Sequence, residues 1–376
     1  MLPDGWKRVK IEDIFEETCE KNHPDAEVLT IIQGVGTVPR EQSGREIVYD
    51  KNSLANYKFV KKGDFIIHLR SFEGGLEVAN SDGIVSPAYI ILHPKIEVST
   101  IYLYALFHTN RFINQTMAPA VEGARDGRSV KYDVLKKQKI PFPPLSEQKK
   151  IAATLSVWDS AIEKMEKLIE AKENAKQFFF YKLVTENSCL WEIKKLSDFL
   201  TPGNKTPVLN TSLYRKMIVK LHKKGLEFNT QTREMADTRP FYIRNEGELI
   251  IGKQNYFNGS IAMVDKEHDQ CICSNAIMSF SIKDIHPLYL YEYISDEEYL
   301  KKHSMLANGT GQKELSEKDF LNFEIRVPKR KQQDEIACVL NNCSLEIFLL
   351  HAQLENYKKQ KQGLMQKLLT GQWRVK

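Results

Sequence analysis

The chain has 376 residues, 42% of them hydrophobic and 27% charged, the proportions of a globular protein with room for two or three domains. A formal charge of +5 is mildly basic; it permits a nucleic-acid partner without demanding one, because binding depends on where the cations cluster. The first residues lack the apolar run of a secretory signal, and no stretch approaches the roughly 18 apolar residues of a membrane helix. A cytoplasmic protein with no membrane attachment is therefore expected.

Taken in chain order, short β-rich runs bounded by Gly, Asn, Asp or Pro predict strands within 64–69 and 84–92, and 101–112 reads as helix. Pro143 and Pro144 exclude a helix interior. Ser146 is then predicted to cap a long helix, with Glu147 as helix-start charge in its first turn. Along that helix Ile151, Leu155, Trp158, Ile162, Met165, Ile169, Lys172, Lys176, Phe179 and Leu183 alternate spacings of four and three, a coiled-coil seam. Strand-like runs follow at 248–252 and 271–282, and 288–303 reads as helix. A second seam comprises Ile336, Leu340, Cys343, Ile347, Leu350, Leu354, Tyr357, Lys361, Leu364 and Leu368, with Gly371 as its stop. Two such helices can bury each other's stripe, and the seam lysines Lys172, Lys176 and Lys361 are placed to fix register. The six cysteines are scattered. Cys271 and Cys273 sit one residue apart in an apolar run without a second pair or zinc spacing, so buried free thiols in a reducing compartment are expected.

Much of this is said twice. Trp6 and Asp13 recur 185 residues later as Trp191 and Asp198. Ile140, Pro143, Gln148, Ile151, Ala152 and Leu155 recur as Ile325, Pro328, Gln333, Ile336, Ala337 and Leu340, and Lys176, Gln177, Lys182, Leu183 and Thr185 as Lys361, Gln362, Lys367, Leu368 and Thr370. Between these ends the copies drift, so Glu16 to Asn56 finds no partner in Thr201 to Pro240. The expected fold class is α+β: two mixed domains over 1–145 and 188–329, and two long helices over 146–187 and 330–376. The helices are expected to form an antiparallel coiled coil, giving a pseudo-two-fold internal repeat. A helix over 146–185 is about 60 Å long at 1.5 Å per residue.

The run Ile140-Pro-Phe-Pro-Pro-Leu-Ser-Glu-Gln148 leading into Ile151-Ala-Ala-Thr-Leu155 and Trp158-Asp-Ser-Ala-Ile162 resembles the specificity subunit of type I restriction-modification systems. So do the closing Leu364-Met-Gln-Lys-Leu-Leu-Thr-Gly371 and the paired Gly63-Asp-Phe-Ile-Ile67 and Gly247-Glu-Leu-Ile-Ile251. The second copy departs from this frame, with Pro328-Lys-Arg-Lys-Gln-Gln333. The resemblance covers the whole chain. It implies two target-recognition domains, each reading one half of a split, asymmetric site in double-stranded DNA. It also implies an antiparallel helical spacer, two docked methyltransferase subunits that bind S-adenosylmethionine and methylate adenine, and a restriction/translocase subunit. No cofactor is expected in this chain.

Base reading needs bidentate side chains, whereas phosphate binding needs only positive charge and amides. Four loops offer both. Loop 68–75 carries Arg70 and Ser71. Its counterpart 253–259 carries Lys253, Gln254 and Asn255, with Tyr256 beside them. Loop 123–131 carries Arg125, Arg128 and Lys131, and loop 308–313 carries Gln312 and Lys313. Lys131, Lys223 and Lys224 are expected on phosphates. Catalytic signatures are missing: the sequence holds no Walker loop, no third glycine after Gly34-Val-Gly36, no Pro-Pro-Tyr and no histidine pair at metal spacing. Glu147, Lys149 and Asp133 could imitate a nuclease triad, but the second copy places Gln332, Asp334 and Lys318 there. A binding and positioning subunit is therefore expected, the alternatives being a free-standing DNA-binding regulator or a coiled-coil assembly scaffold.

Overall fold

A computed structural model describes residues 2–44, 51–68, 75–123, 129–186, 188–229, 239–306 and 314–375. It falls into two compact units, Met1–Glu166 with Ala352–Lys376, and Lys167–His351.

In the first unit a four-stranded antiparallel sheet runs Phe15–Thr18, Ile90–Pro94, Phe65–Ile67, Leu76–Val78. Alternation along the central strand sends Phe65 and Ile67 to one face and Ile66 to the other. The first face packs on Phe15, Tyr102, Leu103 and Phe107; the Phe15 and Phe107 rings lie 5.3 and 5.2 Å from the Phe65 ring, edge-on. The other face packs on Leu29, Val60, Val85 and Ile91. Two strand pairs flank the sheet: the hairpin Leu29–Ile32 with Gly36–Pro39, and Lys58–Val60 with Gly83–Val85.

The second unit repeats this plan. Its sheet runs Leu200–Pro202, Ile277–Ile282, Leu249–Gly252, Ile261–Met263. Its flanking pairs are the hairpin Met217–Val219 with Leu226–Phe228, and Phe241–Ile243 with Ile272–Ser274. Even an isolated parallel bridge recurs, Val28 to Ile84 and Lys216 to Ile272. The segments that share no readable sequence thus share a strand order. Period-two patterning specifies which face a residue takes and leaves the neighbouring strand open, which is why the order was illegible in the sequence. Cys271 and Cys273 are buried free thiols, as expected, and burial pushes both thiols up.

The residues repeated at one offset build the frame of each unit. Lys7–Lys10 pairs with Lys139–Phe142, setting Val9 opposite Ile140; Glu192–Lys195 pairs with Glu324–Val327, setting Lys194 opposite Ile325. The Asp13 and Asp198 carboxylates each accept the backbone N–H three residues earlier, at Lys10 and Lys195. Gln148 is fully buried; its amide donates to the Pro143 carbonyl at 3.0 Å and accepts from the Ser99 N–H at 3.0 Å. Gln333 does the same between the Pro328 carbonyl, 2.9 Å, and the His286 N–H, 2.8 Å.

The long helices are Leu145–Phe180 and Arg330–Leu369. Ser146 does not cap the first. It lies inside the first turn, and the Pro144 carbonyl accepts from the Glu147 and Gln148 N–H groups. Nor is Glu147 a free helix-start charge: it is buried, accepting from Trp6 Nε1 at 3.0 Å and from Arg374 at 2.7 and 2.8 Å. At the far end a π turn, Tyr181–Thr185, advances the inward face by one residue. Phe180 and Val184 therefore join Leu183 against the second core, while Phe179, expected in the seam, is exposed. The second helix stops at Gly371, whose φ of +75° suits glycine.

Every seam lysine finds a carboxylate. In the first unit Lys361 pairs with Asp159, Lys358 with Glu166 at 2.9 Å, and Trp158 meets Tyr357 edge-on at 6.0 Å. In the second unit Lys172 pairs with Glu346 at 2.7 Å, Glu173 faces His351 at 3.6 Å, and Lys176 reaches the buried Glu292 at 2.7 Å. Contrary to expectation, Arg330–Leu369 is by length and composition apolar enough to cross a membrane. The same helix also carries the cations Lys358 and Lys361 just named.

Replacing Gln148 or Gln333 with Met keeps the volume and leaves a carbonyl and an N–H unpaired. Each substitution should lower unfolding free energy by about 2–4 kcal/mol, read from urea denaturation of the full chain; an unchanged midpoint would contradict the clamp.

Candidate nucleic-acid interface

In the second unit the buried strand Leu249–Gly252 ends where Gly252 faces Ser260: a Cβ there would stand 2.4 Å from the Ser260 Oγ. This close approach turns the chain through Lys253, Gln254 and Asn255 into a 3₁₀ turn, Tyr256–Asn258, and then Gly259 at φ +73°. Gln254 and Asn255 are exposed on that loop, as base contacts require. Tyr256 is not available to DNA. It is fully buried, its hydroxyl donates to the Ile294 carbonyl at 2.7 Å, and its ring packs on Phe320. Burial drives its phenol well above the ordinary range. Tyr256 is the peg that fixes the loop, and the sequence reading of it as a contact residue is corrected.

The structure brings Lys223 and Lys224 to this loop across some thirty residues of sequence. The His222 and Lys223 N–H groups donate to the Asn258 and Gly259 carbonyls at 2.8 and 2.9 Å. Lys253 is tied on its other side, donating its N–H to the Ala276 carbonyl and accepting from the Leu315 N–H. Its ammonium lies 3.4 Å from Glu314.

Below Lys253 opens a cleft of about 540 Å³ whose lining includes Asn204, Lys205, Arg244 and Asn275. Lys205 pairs with Glu317 at 2.5 Å. Arg244 is buried; its Nε donates to the Cys273 Sγ at 3.1 Å and its Nη1 to the Asn204 carbonyl at 3.0 Å. Lys205 and Arg244 were missed in the sequence because they reach one cleft from separate strand ends. The only available signal was Asn204-Lys205 following Pro202-Gly203, a turn with a cation on it.

In the first unit Lys131 is exposed, its ammonium 4.0 Å from Glu122, at the end of the short strand pair Val121–Glu122 with Ser129–Val130. Arg70, Ser71, Arg125, Arg128, Gln312 and Lys313 lie outside the described residues. The nuclease-like trio is engaged separately: Glu147 with Trp6 and Arg374, Lys149 with Glu97, and Asp133 with Lys136.

Comparison with known proteins places this architecture. The profile of the type I restriction modification DNA specificity domain matches residues 3–173 and again 190–359. Among curated relatives, the MjaVIII specificity subunit of a type I restriction enzyme from Methanocaldococcus jannaschii is 22% identical, with all of this chain and 94% of that protein covered. The putative MjaX specificity subunit from the same organism is 25% identical over all of this chain and 95% of its own. Among solved structures, the S subunit of a type I restriction-modification system from M. genitalium superposes with a TM-score of 0.59 at 16% identity, covering 100% of this chain and 98% of the other. A chain from a study of complex assembly and conformational transition of the type I system superposes at 0.52 with 14% identity, covering 99% and 100%. These structures share the fold, and the duplicated frame has the family's sequence: the chain belongs to the type I restriction-modification specificity family and carries its domain twice.

Proposed function

We propose that this chain is the non-catalytic DNA-reading subunit of a type I restriction-modification assembly acting in the cytoplasm. Each unit reads one half of a bipartite, asymmetric duplex site. The observation that carries the reading is one strand plan built twice on one frame, with different loops at the two sheets. Like frames present their loops alike, and unlike loops select unlike half-sites.

The long helices act as an antiparallel coiled coil that links the two readers. The contact order supports this: early residues of the first helix meet late residues of the second in one unit, and the reverse holds in the other. Two methyltransferase subunits, which bind S-adenosylmethionine, and a restriction/translocase subunit complete the assembly. The exposed apolar side chains Leu345, Phe348 and Leu349, at i, i+3, i+4 spacing on one helix face, suit such a subunit contact better than water.

On DNA, Lys131, Lys205 and Lys253 hold phosphates while Gln254 and Asn255 face bases, both being amides suited to adenine. The ion pairs of Lys205 and Lys253 are surface pairs of small net value, readily exchanged for phosphate. Chromosomal DNA from cells with and without the chain, mapped base by base for methyladenine, should show a bipartite motif that vanishes with it. Exchanging residues 188–329 for those of another family member should alter one half of that motif; alteration of both halves would refute separate reading. Replacing Lys205 and Lys253 together with Ala should weaken binding across sequences and reduce the log–log salt slope by about 2; an unaltered slope would remove them from the phosphate backbone.

A further inference from the structure

The two flanking hairpins have tips of different chemistry, each pinned beside the edge strand of its sheet, the first by side chains and the second by backbone carbonyls. In the first unit the strands Leu29–Ile32 and Gly36–Pro39 are joined through Gln33, Gly34 and Val35, all exposed. That tip is pinned from beneath. The Gly34 N–H donates to the Glu77 carboxylate at 2.8 Å, and the Asn80 amide donates to the Val35 and Thr37 carbonyls at 2.8 and 3.0 Å. Glu77 is buried on Leu76–Val78, the edge strand of the sheet. Gly36 closes the fit, since a Cβ there would stand 2.5 Å from the Val78 carbonyl.

In the second unit the strands Met217–Val219 and Leu226–Phe228 are joined by a longer tip. Its turn has His222 and Lys223 at φ +58° and +57°, closed by the Lys224 N–H on the Leu221 carbonyl. Two successive left-handed residues make a type I′ turn, where Asn-Gly is the comfortable pair. This chain keeps His-Lys in spite of the strain and holds it with the bonds to the Asn258 and Gly259 carbonyls. Those carbonyls lie one residue short of Ile261–Met263, the edge strand equivalent to Leu76–Val78. Strain retained at a polar surface turn, over-determined by its surroundings, is the mark of a functional constraint. The Lys223 ammonium faces the Glu297 carboxylate at 3.9 Å, a surface pair readily exchanged. A tip fixed from below with exposed side chains above is how a reading element is preorganised.

We propose that the hairpin tips at Gln33–Val35 and His222–Lys224 enter the DNA groove and set part of each half-site, an inference that rests on the DNA-reading function above. Gln33 suits adenine through its amide, and Val35 suits the thymine methyl beside it. Lys223 and Lys224 suit the guanine acceptors, which moves them from the phosphate role expected from sequence to base reading. One half-site then contains an A·T pair read by the first tip, the other a G·C pair read by the second. Glu77 acts as a positioning residue, since it cannot reach DNA itself.

The test uses the full chain assembled with its methyltransferase subunits, with methylation mapped at every base of the motif. Gln33→Ala should relax discrimination about ten-fold at one A·T position of one half, leaving the other half as it was. Glu77→Ala should relax that same position. The double variant His222→Asn with Lys223→Gly supplies the residues the turn prefers, so folding is preserved, and it should relax a G·C position in the opposite half. A wild-type assembly that marks a bipartite motif, with Gln33→Ala and the double variant marking the identical motif at equal discrimination, overturns the tips as readers. A wild-type assembly that marks no bipartite motif instead defeats the DNA-reading function and the inference with it.

Discussion

A helix of thirty-six to forty residues with one apolar stripe is unstable in water until that stripe is covered. Here each long helix begins in one core and ends in the other. Ile151 and Leu155 are buried in the first core and Val184 in the second; Ile336 and Leu340 are buried in the second and Leu368 and Leu369 in the first. Burying each such side chain contributes about 1.5–3 kcal/mol, so neither core is complete with its contiguous segment alone. Between the ends Ile169 and Leu354 are buried as well, and the lysines of the stripe are matched to carboxylates, Lys172 to Glu346 and Lys361 to Asp159.

The frame and the readers are governed by different constraints. Frame residues are specified by bonds they alone can make: a buried amide that must donate to a proline carbonyl and accept an N–H is satisfied by Gln at both 148 and 333. Sheet strands need only apolar residues of suitable alternation, and turns need only whatever keeps the ends aligned. Sequence can therefore drift across the inserts while strand order holds. Where a loop approaches the sheet closely, the constraint returns in local form, as at Gly252 against Ser260 and Gly36 against Val78.

The same distinction explains what was legible in the sequence. Four-three periodicity gave both helices to within a few residues, and the recurrence of Trp6, Asp13, Gln148 and their partners gave the duplication. The start of the first helix was misplaced because Ser146 has the chemistry of a cap, whereas Pro144 already supplies the carbonyl from outside the helix. The one-residue advance at Phe180 follows from a π turn, which leaves no residue signature. In the interface, Gln254 and Asn255 could be read as exposed because they are polar within a glycine-bounded loop. Tyr256 next to them could not be read as buried, since its phenol finds the Ile294 carbonyl thirty-eight residues away. The cleft joining Lys205, Arg244 and Lys253 is long-range geometry of the same kind.

The tie between Glu147, Trp6 and Arg374, together with Leu368 and Leu369 in the first core, bears on how the protein is made. Synthesis proceeds from the N-terminus, so the segments around Trp6 and Leu103 leave the ribosome long before the residues that seal them. The first unit to be translated is thus the last to be finished, and its apolar surface must wait for some two hundred further residues to be polymerised. Chaperone demand during translation should fall on that nascent half.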